Sequence, residues 1–323
     1  MSDMRFSKTS GHFDSSNGVN KCAYYVYVPA GGELKGIIQI SHGMCEHIGR
    51  YEHFVEFLTD NGYIVCGKDH LGQGNSVSSK DDYGYFAEKD GWSFLVNDLR
   101  RLTMIMKRKF PTLPYFMIGH SMGSFIARLY ASRFPDELTA LVILGTGDDK
   151  ALGELGVRAA RSVAALKGGH FRSEKLNNLM YGVYNDRIEN KQTIFDWLTH
   201  DEEVVKKFID DEKTNFMFTA SGFVDLTTLL RRISSSQWVA KVPKNLPILF
   251  ASGTADPVGN YGKGVINVYE KLINEGCNAD IKLYPGARHE LINETMKEVV
   301  FSDILCWIER KRTGYTGNYE FAE

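Results

Sequence analysis

Tyr115-Phe116-Met117-Ile118-Gly119-His120-Ser121-Met122-Gly123 is the stretch on which the reading of this chain turns. Four large apolar residues form a run short enough for a strand buried on both faces, and they lead into a Gly-x-Ser-x-Gly pentapeptide from which helical periodicity continues over residues 122–134. At a sharp strand-to-helix turn the central residue is held in a strained backbone conformation, so the positions two before and two after it must be nearly free of side chain. Gly119 and Gly123 meet that need. The turn lifts the Ser121 hydroxyl above the carboxyl edge of a sheet, and the following helix aims its N-terminal amides at any developing oxyanion. The segment therefore predicts a nucleophilic serine rather than a glycine-rich connection with an incidental one.

The flanking sequence supplies the sheet that such a turn requires. Short apolar runs at 36–40, 63–66, 141–144, 247–251 and 280–284 alternate with amphipathic segments at 50–61, 90–110, 122–134, 262–275 and about 290–311. In the second of these, Phe94, Leu95, Leu99, Leu102, Ile105 and Met106 recur at helical spacing. Strand and helix in alternation predict an α/β fold with a parallel sheet and right-handed crossovers. Ahead of them, two polar-alternating runs, one ending near Phe13 and one at Tyr24–Val28, flank the turn signal Ser15-Ser16-Asn17-Gly18 and predict an antiparallel hairpin at a sheet edge. The alternation breaks after Gly147. Residues 148–240 are helix-like, polar and irregular, so the expected organisation is a core of residues 1–147 and 241–312, an insertion at 148–240 and a loose tail at 313–323.

Composition narrows the function classes. A hydrophobic share of 43% and a charged share of 24% exclude disorder, and a net charge of −2 gives no electrostatic reason to expect nucleic acid as a partner. The runs Lys107-Arg108-Lys109 and Arg310-Lys311-Arg312 fall at helix ends, where they complement the helix dipole. Cys22, Cys45, Cys66, Cys277 and Cys306 are odd in number and lack zinc-like spacing, which fits a reducing compartment. The first residues lack the apolar core of a signal peptide, and no apolar stretch is long enough to span a bilayer, so a cytoplasmic protein is expected.

A serine hydroxyl is a poor nucleophile at neutral pH and needs a base, usually a histidine oriented by a carboxylate. Hydrolases that place serine at such a turn carry the acid and the histidine downstream, in loops after the last strands. Asp256 follows the run at 247–251, and His289 follows the run at 280–284, so both loops open on the sheet edge that carries Ser121. Asp148 and Asp149, after the sixth run, are the reserve carboxylates. Two backbone amides are expected to bind the oxyanion: that of Met122, next to the serine, and that of Met44 in Ser41-His42-Gly43-Met44, where glycine lets the chain turn inward. The adjacent Cys45, Glu46 and His47 resemble metal ligands by type, but no partner ligands occur at useful spacing, so no metal is expected. Asp69-His70-Leu71-Gly72-Gln73-Gly74-Asn75-Ser76 lacks the frame of a phosphate loop and reads as a tight turn, so no cofactor is expected.

The chain resembles the monoacylglycerol lipase and lysophospholipase branch of the α/β-hydrolases. The resemblance rests on His42-Gly43-Met44 with Glu46-His47 and Arg50-Tyr51, on Asp69-His70 with Gly72, Gly74 and Ser76, on Gly119 to Gly123, and on His289-Glu290-Leu291 with Asn293-Glu294. Gln73 stands where many relatives have histidine. The resemblance implies an eight-stranded, mostly parallel sheet flanked by helices, a Ser121, Asp256, His289 triad, an oxyanion hole at Met44 and Met122, and a helical cap between the sixth and seventh strands. It implies a single-acyl lipid ester as substrate, cleaved through an acyl-enzyme, with neither metal nor organic cofactor. Within the cap, Ala151–Leu166 reads either as a lid helix that makes transient contact with a lipid surface or as a helix packed on the body. Phe216, Phe218 and Phe223 read as pocket wall or as cap core. A serine aminopeptidase or amidase on the same fold, with Glu202-Glu203 or Asp210-Asp211-Glu212 receiving a substrate amine, and a ligand-binding module without turnover are the alternative functions.

Overall fold

In the computed structural model, which describes residues 5–148 and 150–314, the chain begins as the expected hairpin. Strands β1 (Phe6–Asp14) and β2 (Lys21–Pro29) pair antiparallel along their whole length, Phe6 opposite Pro29 and Asp14 opposite Lys21. The remaining strands are β3 (Gly36–Ser41), β4 (Tyr63–Lys68), β5 (Tyr115–His120), β6 (Ala140–Leu144), β7 (Ile248–Gly253) and β8 (Ala279–Tyr284). They form one eight-stranded sheet in the order β1-β2-β4-β3-β5-β6-β7-β8, in which β2 runs antiparallel to both neighbours and every later pair is parallel.

The helices are α1 (Glu52–Asp60), α2 (Gly91–Lys109), α3 (Met122–Arg133), α4 (Lys150–Lys167), α5 (Glu174–Tyr181), α6 (Glu202–Asp210), α7 (Ala220–Ile233), α8 (Ser236–Val239), α9 (Lys263–Asn274) and α10 (Lys297–Thr313). Every residue of β3 to β7 is buried, because helices cover both faces. Ile118, Val142, Leu144 and Leu249 pack with Phe54 of α1 and Trp307 of α10. The alternate residues Met117, Leu141, Ile143 and Phe250 pack with Leu99, Ile126 and Val268 of α2, α3 and α9. Each such side chain contributes about 1.5–3 kcal/mol on burial. With apolar groups on both sides, the strands read as continuous hydrophobic runs rather than alternating ones.

Between β6 and β7 the chain leaves the sheet for α4 to α8. Helix α4 lies close on α7: a Cβ on Gly153 would sit 2.7 Å from the Arg231 backbone nitrogen, and one on Gly156 would sit 2.5 Å from Thr227 Cγ2. Val157 and Ala160 are buried, whereas Leu155 and Leu166 point outward and are exposed. Helix α7 also reaches back to the core, where Asp225 Oδ1 accepts from Trp92 N at 2.9 Å in the first turn of α2.

The last helix starts later than its periodicity predicts, at Lys297 rather than about 290. Residues 291–293 form a single 3₁₀ turn, because the polar groups of this stretch are spent on tertiary contacts. Glu290 binds Arg50, the Asn293 carbonyl accepts from Thr199 Oγ1, and Glu294 binds His200. The expected helix at 50–61 likewise opens with a 3₁₀ turn, Ile48–Tyr51, before α1. Residues 315–323 of the expected tail, and Asp149, lie outside the described residues. Among the described residues no helix is long and apolar enough to cross a membrane.

Candidate active site

Ser121 caps the N-terminus of α3 with φ 51° and ψ −122°, a backbone conformation that costs a non-glycine residue about 1–3 kcal/mol. The surroundings over-determine it. Ser121 N donates to Leu144 O of β6 at 3.0 Å, and Ser121 O accepts from Ser124 Oγ at 2.5 Å. A Cβ on Gly119 would lie 2.7 Å from Gly123 O, and one on Gly123 would lie 2.0 Å from Ser41 O and 2.3 Å from His42 O. The two glycines are thus needed for backbone to lie against backbone, at the contact between β5 and α3 and at that between α3 and the end of β3.

That second contact brings the turn after β3 to the serine. A Cβ on Gly43 would lie 3.1 Å from Ser121 Cβ. Met122 N opens α3 and has no intrahelical acceptor. Among the described residues the Met44 amide also has no acceptor. Both residues line the cavity that contains Ser121.

Asp256 and His289 arrive from the next two loops. A Cβ on Gly253, the last residue of β7, would sit 1.9 Å from Ala287 O, and Ala255 N donates to the same oxygen at 2.9 Å, so the two loops lie against each other. Asp256 Oδ1 is 3.0 Å from His289 Nδ1, with side chains 0% and 2% exposed. The carboxylate also accepts from Val258 N at 2.9 Å and Ser252 Oγ at 3.2 Å, which fixes its plane. With Nδ1 donating to Asp256, His289 Nε2 carries the lone pair. Gly145, at φ 54°, allows β6 to end beside the imidazole, where a Cβ would lie 3.1 Å from His289 Nδ1. The rings of His120 and Trp197 flank His289 at centroid distances of 4.8 and 5.0 Å.

Beneath these groups is a buried charge network. Arg50 grips Glu290 bidentately, with both Nη–Oε contacts at 2.7 Å, and reaches Glu46 Oε2 at 2.8 Å. Glu46 also accepts from Tyr51 Oη at 2.8 Å and from Gly43 N. Burial alone would raise the Glu46 carboxyl, but its hydrogen bond to His120 and the Arg50 charge hold it far below the usual carboxylate range. Glu290 is likewise lowered, burial being outweighed by Arg50. For His120, burial favours the neutral ring, but the bond to Glu46 and the surrounding carboxylates prevail and raise its pKa.

Ser121 and His289 open on one cavity of about 1050 Å³. Its wall is largely aromatic and aliphatic, with Phe125, Tyr181, Trp197, Phe208, Phe216 and Leu230 prominent. Asn177, Asn185 and Arg187 bring polar groups to the same cavity.

A family model described as "Serine aminopeptidase, S33" matches residues 32–296. The chain belongs to that family. It is a serine hydrolase with an α/β-hydrolase fold. Among its relatives, the monoglyceride lipase homolog of Monkeypox virus is 28% identical over 93% of this chain and 98% of its own length. The monoacylglycerol lipase of Mycolicibacterium smegmatis is also 28% identical, covering 94% of this chain and 98% of its own. A thermostable carboxyl esterase of Bacillus coagulans, crystallised with glycerol, superposes with a TM-score of 0.89 at 29% identity over 95% of this chain and 99% of its own.

For this serine hydrolase the structure brings Ser121, Met44, Met122, Asp256 and His289 to one sheet edge. Asp148 borders the same cavity, but its carboxylate pairs with Lys271 at 2.6 Å, and the carboxylate at His289 Nδ1 is that of Asp256. Of the three phenylalanines, Phe216 lies on the cavity wall, while Phe218 and Phe223 do not. Phe218 is fully buried beside Gly84, edge-on to Phe86 at 5.1 Å, and Phe223 packs behind it at 5.9 Å. The Cys45, Glu46 and His47 side chains diverge: Cys45 Sγ donates to Phe216 O, Glu46 joins the buried network, and His47 meets Asp211. Sequence reasoning missed Trp197, which lies in an irregular stretch with no periodic signal. It noted Arg50 and Glu290 only as features of the resemblance, because each stands among other charged and polar residues and nothing local marks the two as a buried pair.

Proposed function

We propose that this serine hydrolase cleaves the ester bond of single-acyl lipids, monoacylglycerol or lysophospholipid, with Ser121 as nucleophile and His289 as general base and acid. Asp256 holds the imidazole tautomer, and the Met44 and Met122 amides receive the oxyanion. The observation that carries this reading is the buried 3.0 Å contact between Asp256 and His289 beside the strained Ser121, on one apolar cavity. Ser121 attacks the acyl carbonyl as His289 takes its proton, and the alcohol leaves with that proton. Water activated by the same histidine then releases the fatty acid.

The core is residues 1–147 and 241–312, and residues 148–240 form a cap whose inner side supplies much of the acyl-binding wall, Phe216 included. Exposed Leu155 and Leu166 on α4 suit transient contact with a lipid surface. Free cysteine thiols suit the cytoplasm. The lipase names of the relatives and the apolar cavity favour a lipid ester over a peptide. The carboxylates that would receive a substrate amine are engaged elsewhere or exposed: Asp211 meets His47 at 2.8 Å, Glu212 meets Lys80 at 2.7 Å, and Glu202 and Glu203 face solvent.

The test compares wild type and Ser121→Ala on monoacyl esters graded in chain length and on an aminoacyl arylamide, with fluorophosphonate labelling alongside. Ester turnover and labelling that both vanish in the variant are expected. Retained turnover in Ser121→Ala refutes the nucleophile assignment, preference for the arylamide refutes the ester reading, and wild type that neither labels nor turns over points to a binding module.

A further inference from the structure

The candidate oxyanion donor Met44 N–H belongs to the peptide between Gly43 and Met44, and a fully buried histidine grips that peptide from the other side. His42 has 0% exposure, and both of its ring nitrogens are bonded. Nε2 lies 2.9 Å from the backbone nitrogen of His70, whose N–H can only donate, so Nε2 must hold a lone pair. The ring proton is therefore on Nδ1, which donates to the Gly43 carbonyl oxygen at 2.9 Å. Burial keeps this ring neutral, with its pKa pushed down to about 4. In a trans peptide the C=O and N–H point in opposite directions, and no cis bond occurs among the described residues. Holding Gly43 O toward the ring thus sets the direction of Met44 N–H, away from the ring.

His42 is itself held from behind. Lys68 Nζ donates to His70 Nδ1 at 2.9 Å, so His70 carries its proton on Nε2, which donates to the His42 carbonyl at 3.1 Å. Lys68 and His70 both have 0% exposure. The intervening peptide is pinned at its other end too, where Gly43 N donates to Glu46. Two successive peptides ahead of Met44 are therefore fixed by side chains with a single allowed proton placement, next to the point where Gly43 abuts Ser121.

We propose that His42 is a positioning residue for the oxyanion: its Nδ1–H tautomer, imposed by the His70 backbone, holds the Gly43–Met44 peptide so that Met44 N–H is aimed at the carbonyl attacked by Ser121. The proposal rests on the esterase reading and on Met44 as donor. A histidine that merely filled space would be replaceable by an apolar side chain with little effect on turnover. A histidine that aims a donor would not be, because a misplaced donor is lost to the transition state rather than to substrate binding.

The experiment compares ester kinetics of wild type, His42→Leu and His42→Asn, the last placing an amide N–H close to the position of Nδ1. Loss of an oxyanion donor costs about 10²–10³ in kcat, so misdirecting one should cost His42→Leu about 10- to 100-fold in kcat, with KM within about twofold. His42→Asn should recover much of that loss. Affinity for a boronic acid, a tetrahedral mimic, should fall in parallel with kcat. Turnover of His42→Leu within about twofold of wild type, or His42→Asn no better than His42→Leu, overturns the proposal. A measurement that needs no variant guards against misfolding. Imidazole nitrogen resonances of the histidine-labelled wild-type protein, sequentially assigned, should show His42 as the Nδ1–H tautomer and His70 as Nε2–H at neutral pH, and the opposite tautomer or an imidazolium at His42 overturns it. A wild-type chain without ester turnover brings down the esterase reading together with this one, whereas an active wild type with an unaffected His42→Leu variant counts against His42 alone.

Discussion

Replacing Arg50 with methionine keeps an unbranched side chain against Phe208, whose ring lies 4.8 Å from the guanidinium carbon, and removes the charge that binds two carboxylates. The Arg50 side chain is 10% exposed, and those of Glu46 and Glu290 are 3% exposed. Stranding a buried partner costs about 3–5 kcal/mol. Glu46 retains Tyr51, His120 and Gly43 N, whereas Glu290 retains Asn293 Nδ2 at 2.8 Å, so Glu290 bears most of the cost. For a chain of this length the unfolding entropy is about 0.7 kcal/mol/K, which converts the penalty to a loss of about 4–7 °C in Tm.

The sign of the pH dependence is fixed by the same groups. In the native protein both carboxyls lie below their ordinary values, so the stability from pairing is present above the unfolded value near 4.3 and is lost as pH falls through the folded values. Without Arg50, burial raises the Glu290 carboxyl instead, and the protein can relieve the penalty by protonating it as pH falls. The Tm deficit of Arg50→Met should therefore be larger at about pH 8 than at about pH 5 when both proteins are followed by scanning calorimetry. Adding Glu290→Gln should restore part of the loss. A deficit below about 2 °C at the higher pH, or one that is equal at both, refutes the assignment of buried, ionised carboxylates to this network.

Three further outcomes follow, two from the site and one from the contact between α7 and α2. Asp256→Asn should lower kcat about 10⁴-fold while leaving the fold intact by circular dichroism, because the carboxylate no longer imposes the Nδ1–H tautomer on His289; a loss under about tenfold contradicts that role. Trp197→Ala removes the ring that lies tilted 5.0 Å from His289 and part of the cavity wall, and should reduce kcat/KM on a long-chain ester by about tenfold, with a smaller effect on a short-chain ester. Burial pushes the Asp225 carboxyl up to about 7, against the lowering effect of the Trp92 and Gly91 amides. Its charged form therefore weakens the fold: full stability is present below the unfolded value near 3.9 and declines as pH rises through about 7. Asp225→Asn should flatten the Tm decline between about pH 4 and 7, and an unchanged slope refutes that titration.

Much of the molecule was legible because the core strands are buried on both faces and the turn residues are forced by backbone contacts. The six later strand runs match the observed strands to within two residues at each end, and the glycines at 119 and 123 are required by neighbours that a Cβ would strike at 2.7 and 2.0 Å. Asp256 and His289 were found through their place after β7 and β8, and the structure sets them side by side. The inserted helices were less legible because their residues pack through irregular contacts rather than one repeated face. In 215–223, three phenylalanines of identical hydrophobicity divide between cavity wall and interior according to how the chain passes Gly84, a tertiary fact with no local signature. The start of α10 was misplaced for a similar reason. Residues 290–296 continue a helical pattern, but Glu290, Asn293 and Glu294 gain more from Arg50, Thr199 and His200 than from one more helical turn.

The loop that carries His289 is stitched to the inserted segment. Glu290 N donates to Leu198 O at 2.7 Å, and Arg288 Nη1 donates to Asp196 O and Thr199 O at 2.8 and 2.9 Å. For anyone building chimaeras, this makes residues 196–200 part of the support of the proposed catalytic histidine even though they lie within the insertion. Exchanging all of 148–240 for a relative's segment would remove the seat of the histidine loop, so a loss of turnover there would say nothing about substrate choice. Exchanging 170–195 alone alters the cavity wall and keeps 196–200, provided that Asn185, which accepts from Trp197 N at 2.9 Å, and Thr193, which binds Asp196, are retained. The support of the histidine loop in this chain thus extends past the ends of the sheet strands into residues 196–200.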